Sequence, residues 1–154
     1  MIDTLIGAAV ELAADNDREL VVERPSRSVA VVRNSSRIPS AWRSFAACVL
    51  KRESGATLDR PQSGAGARNT SGSSASGRWQ FLQSSWGRSL PYMVADQLVD
   101  HGLPRSQARQ VRKHLQSIPI HRWPGVYQDM GFIEVVQRGG WAHWRGATCN
   151  GLVP

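Results

Sequence analysis

Among the residues able to do chemistry, one carboxylate and one amide stand out. Glu53 closes the run "AWRSFAACVLKRESG", in which Trp42, Phe45, Ala46, Val49 and Leu50 recur at intervals of three and four. Adding four to Val49, or three to Leu50, reaches Glu53. The carboxylate therefore lies on the apolar stripe of a helix that Gly55 is placed to end. Burial and the negative end of a helix dipole both favour the protonated form of a carboxyl group. An acid kept in that form can hand a proton to a departing oxygen, which is the step general acid catalysis needs. The second candidate, Gln80, sits between Trp79 and Phe81 in "SSASGRWQFLQSSW", with Trp86 following. Its amide offers donors and an acceptor, and the flat rings beside it suit a ring-shaped ligand. A second carboxylate is less evident. Asp59 is nearest in sequence, and Asp129 and Glu134 come much later.

These groups need elements to position them, and the pattern after Pro39 is helical. Ser40 is the expected N-cap of the Glu53 helix. Residues 56–76 are poor in large apolar groups and read as an irregular loop, followed by a short helix or turn around 80–87. Pro91 opens a second helix, with Tyr92, Val94, Leu98 and Val99, that stops at Gly102. Pro104 opens a third, marked by Ala108, Val111, Leu115 and Ile118, and a fourth spans 126–138. Upstream, residues 3–14 predict a short amphipathic helix with Asp3 as N-cap. Residues 15–40 form a charged stretch in which "SVAVVR" has the composition of a strand. The expected organisation is an extension or linker over 1–37 and a mainly α domain over 38–154.

Composition narrows the partners. Residues 1–37 sum to a charge of −1 and residues 38–154 to +8. A basic domain suits an anionic partner such as nucleic acid, a membrane surface or an acidic wall polymer. Arginine supplies nearly all of that charge, since Lys51 and Lys113 are the only lysines; GC-rich coding accounts for part of the bias. "RSQARQVRKH" is the segment closest to a nucleic-acid recognition helix, but it lacks the clustering one needs. No run approaches the ~20 apolar residues of a membrane span. "MIDTLIGAAVELAA" has no basic leading region, so no cleaved signal peptide is expected. The four histidines and two cysteines show no ligand spacing, and no metal or other cofactor is expected.

Four elements in order now carry a resemblance: Glu53-Ser54-Gly55, Gly77-Arg78-Trp79-Gln80-Phe81, Ser84-Ser85-Trp86, and Gly140-Trp141-Ala142-His143-Trp144 with Cys149. Together, over roughly residues 40–150, they resemble the lysozyme-like transglycosylase domain of resuscitation-promoting factors and actinobacterial phage lysins. The resemblance implies a small helical lysozyme-type fold. It also implies cleavage of the β-1,4 bond between N-acetylmuramic acid and N-acetylglucosamine in bacterial peptidoglycan, by a lysozyme or lytic transglycosylase with Glu53 as catalytic acid. Gln80, Trp79, Ser54, Asp59 and Asn69 form the expected glycan-binding set, and Cys48 is implied to pair with Cys149.

The chain departs from the family pattern in three places. Cys48 precedes Glu53 by five residues, about 140° round the helix, where the best-known members place a cysteine directly before the glutamate. Residues 88–125 exceed the compact form of the domain, and the Ala-Tyr-Asn motif of larger lytic transglycosylases is missing. A phage origin fits the lack of a leader, with a virion-associated tail lysin and an endolysin as the two settings. In the first, residues 1–37 would engage other tail proteins. The competing expectations are a catalytically inactive wall-binding or structural tail component, and a basic nucleic-acid-binding domain.

Overall fold

The computed structural model describes residues 27–154, so the helix expected over 3–14 lies outside the described residues. The described chain is mainly helical, as its apolar spacing predicts, with one small hairpin. Helix α1 covers Arg27–Ser35 and α2 covers Arg43–Ser54. The strands β1 (Ala75–Ser76) and β2 (Phe81–Leu82) pair antiparallel, with Ala75 opposite Leu82 and Ser76 opposite Phe81. A single turn of helix, α3 (Gln83–Trp86), leads to α4 (Leu90–Asp100), α5 (Arg105–Ser117) and α6 (Gly125–Gln137).

Helix α6 is the axis of the fold. Every residue from Gly125 to Val136 is buried, so this helix carries no solvent stripe and the other elements wrap it. Helix α4 packs against both α5 and α6, and α1 packs against α4 and α6. The core between α2, α6 and the hairpin is aromatic. Trp79 stacks on Phe132 with ring centres 3.8 Å apart, and Phe132 in turn meets Trp144 at 4.9 Å.

Two local expectations change. Residues 28–33 form a helix rather than a strand, although β-branched valines favour strands in isolation. Val29 and Val32 face inward three apart, and Val31 and Ser35 four apart. The Gln97 amide donates to the Ser35 carbonyl at 3.1 Å, which satisfies the helix end. Tertiary packing overrides propensity here. Val31 and Val32 belong to the main core. Through these two valines Arg27–Ser35 packs onto the main body. Ser40 does not cap α2 either; it begins a 3-10 turn over Ser40–Trp42 with no side-chain capping bond.

Cys48 and Cys149 form a disulfide, with Cα atoms 5.8 Å apart, that ties α2 to the end of the chain. Among the described residues no helix is long and apolar enough to cross a membrane.

Candidate active site at the end of α2

Helix α2 ends as its sequence predicts. Gly55 takes φ +68° and its N–H reaches the Lys51 carbonyl at 3.2 Å, which stops the helix just past Glu53. The Glu53 side chain is 24% exposed, so it stands at the rim of the apolar stripe rather than beneath it. Its Oε1 is held by Arg52, at 2.8 Å from Nε and 2.7 Å from a terminal nitrogen. The same terminal nitrogen also donates to the Trp144 carbonyl at 2.8 Å. Arg52 thus fastens the glutamate to the Gly140–Trp144 segment across the helix end.

The hairpin brings Gln80 to the same place. Its turn runs Gly77 to Gln80, with Gly77 at φ +77° and Gln80 at φ +50°, the one non-glycine residue with positive φ among those described. Gly77 is required on a second count, because a Cβ there would lie 2.2 Å from the Gln128 side-chain oxygen. The Gln80 amide nitrogen donates back to the Gly77 carbonyl at 2.9 Å, which locks the side chain across its own turn. Ser54 joins helix to hairpin, donating to the Arg78 carbonyl at 2.8 Å.

His143 completes the cluster, and the sequence reasoning missed it by asking of histidines only whether they ligate metal. Its ring lies over Phe81 at 6.1 Å and edge-on to Trp86 at 5.4 Å. The Trp86 indole N–H points at Nδ1 across 3.4 Å, and the ring also hydrogen-bonds the Gln80 backbone. Nδ1 is the acceptor of the Trp86 bond. Burial lowers the imidazole pKa, while the Glu53 charge and the Gln80 bond pull it back up. The signal available in sequence was its place inside the "GWAHW" motif.

The remaining expected residues are placed as follows. Trp79 is fully buried, stacked on Phe132, with its N–H on Asp129 at 2.9 Å; it is core and offers no face to a sugar. Ser54 commits its hydroxyl to Arg78 and Leu50 carbonyls and is a fastening residue. Asp59 is fully exposed in the polar loop, its carboxyl held below the usual range by a hydrogen bond to Thr57 and by its own backbone. Asn69 caps a turn through Ser71 and lines a cavity of about 210 Å³ with Ser76, Gln83 and His121. Of the expected set, Glu53, Ser54 and Gln80 are brought together, whereas Asp59 and Asn69 are engaged in the loop.

Among the described residues no second carboxylate bonds to this cluster. Asp129 is buried against Arg78, whose Nε lies 2.8 Å away as an ion pair rather than a straight hydrogen bond. Burial pushes the Asp129 carboxyl up to about 6, although Arg78 and the Trp79 N–H both pull it down. Arg78 spends its other nitrogens on the carbonyls of Thr57, Arg60, Pro61 and Ser63, and so folds the polar loop onto the body. Glu134 pairs with Arg138. Among the described residues no group of three His, Cys, Asp or Glu side chains could hold a metal ion.

Compared with protein-family models, curated proteins and solved structures, the chain matches none.

Proposed function

We propose that this chain is a peptidoglycan-cleaving glycosidase in which Glu53 delivers the proton to the departing sugar oxygen. The observation that supports the reading is the joining of Glu53, Gln80 and the His143–Trp86 pair at one end of α2, by bonds running through the very segments that carry the lysozyme-like motifs. Glu53 Oε2 has no partner among the described residues and is the oxygen available to a ligand. Gln80 and the edge of Trp86 are the polar and aromatic contacts for an N-acetylated sugar.

With no second carboxylate in the cluster among the described residues, the substrate supplies its own nucleophile. Glu53 protonates O4 as the C1–O4 bond breaks, and the 6-hydroxyl closes on C1 and gives its proton back to Glu53. The product is a 1,6-anhydro sugar, and the enzyme returns to its starting state. Digestion of purified peptidoglycan followed by mass spectrometry tests this. Anhydro-ended fragments are expected. Fragments that gain one water would instead assign hydrolysis, and intact glycan would end the glycosidase reading.

One observation favours a second reading, a wall-binding component without catalysis. The Arg52–Glu53 pair at 2.7 Å is what a glutamate kept for structure would also make. Proton delivery requires Arg52 to leave Oε1 when glycan enters. A protein that binds sacculi and never cleaves them would match the second reading.

A further inference from the structure

Away from Glu53, three arginines of α5 without ion pairs line a groove of about 490 Å³ between α4 and α5. Arg105, Arg109 and Arg112 follow one another along α5 at spacings of four and three, which puts them on one face. None of the three has an acidic partner among the described residues, whose ion pairs involve Arg52, Arg78 and Arg138 alone. Arg112 Nε is buried with no acceptor. A buried guanidinium donor left open is uncommon and marks a place for an anion.

The opposite wall is mixed: Arg138 lines it too and pairs with Asp96 at 3.3 Å. Asp96 and Asp100, one turn apart on α4, face the arginines across the groove. Such a groove repels a continuous ridge of phosphates but suits a chain in which phosphates alternate with hydroxyl groups. The arginine forks take the phosphates, and Asp100, which has no ion pair among the described residues, accepts from the hydroxyls. The rise from Arg105 to Arg109 is about 6 Å, the scale on which a polyol phosphate chain repeats its charge. The exposed aromatic beside the groove, Tyr92, has Arg112 packed over its ring at 4.5 Å. That face is closed to a nucleobase as a stacking platform.

We infer that the α4–α5 groove is a binding site for a polyol phosphate polymer, separate from the Glu53 cluster. This assignment does not depend on whether Glu53 cleaves glycan.

The test is fluorescence anisotropy on the full chain with an end-labelled glycerol phosphate decamer. Inorganic polyphosphate and oligothymidylate of equal charge serve as comparators. The decamer is expected to bind more tightly than either. Replacing Arg105→Gln and Arg109→Gln together, both exposed, should weaken binding and reduce the logarithmic salt slope by about two. Asp96→Asn with Asp100→Asn should erase the preference by strengthening polyphosphate binding. Thermal melting of each variant establishes that it is folded. Equal affinity for all three polyanions, or an unchanged salt slope in the arginine variant, would overturn the proposal. Tightest binding of oligothymidylate would overturn it in favour of nucleic acid.

Discussion

Trp79 and His143 exchange roles between sequence and structure. Both are flat rings beside Gln80, and a one-dimensional reading cannot tell which ring faces the ligand. Trp79 is larger and its N–H finds a buried acceptor in Asp129, so it goes inside. His143 arrives from sixty residues downstream, which no local pattern announces. The unfolded chain takes up a proton on a histidine near pH 6.5. The folded site, where burial lowers the pKa, refuses that proton until lower pH. His143 therefore contributes stability above about pH 6.5 that is lost as pH falls through the folded value. His143→Phe keeps the stacking and removes the titration. Urea unfolding should show the wild-type advantage over this variant shrinking between about pH 7.5 and pH 5. A constant gap would contradict the assigned burial. Arg78 gives a second test at this scale. Its guanidinium and Asp129 are both buried, so Arg78→Met strands a buried carboxyl group. The loss should be about 3–5 kcal/mol in equilibrium unfolding, because breaking one half of a buried pair leaves the other uncompensated.

At the scale of elements, α4, α5 and α6 were legible because proline and apolar spacing agree. Leu90–Asp100 and Arg105–Ser117 start beside Pro91 and Pro104, and Gly125–Gln137 follows Pro124. The hairpin was not legible. Its strands hold two residues each, too few for alternation to register, and its turn depends on Gly77 and a strained Gln80. Helix α1 was misread because three valines weigh toward a strand when α4 and α6 are unseen. The correction has a measurable consequence. A chain beginning at residue 38 uncovers the core surface that Val31 and Val32 seal, and should melt well below the full chain. Equal melting temperatures would mean that α1 adds nothing to the packed body. The hairpin has its own test in Gly77→Ala, which adds a Cβ against Gln128 at a position of positive φ. A loss of about 1–3 kcal/mol is expected, with the helical circular dichroism signal retained.

Across the whole molecule, one covalent link joins the two ends of the site. The Cys48–Cys149 disulfide spans a sequence separation of 101 and holds the terminal segment, and with it His143 and Trp144, against α2. The resemblance implied this pairing, although Cys48 faces away from the Glu53 side of its helix. The terminal segment packs on α2 through the turn at Asn150–Leu152, next to the bridge. Replacing both cysteines with serine should cost about 2–5 kcal/mol, read by thermal or urea unfolding. All these tests concern the frame, and the central claim concerns what the frame carries. Glu53→Gln preserves size and hydrogen-bonding reach but has no proton to give. If Glu53 is the donor, the rate of glycan release from purified peptidoglycan should fall by about 10²–10⁴-fold while the variant still melts as a folded protein and still binds sacculi. Release at the wild-type rate by folded Glu53→Gln would contradict the account.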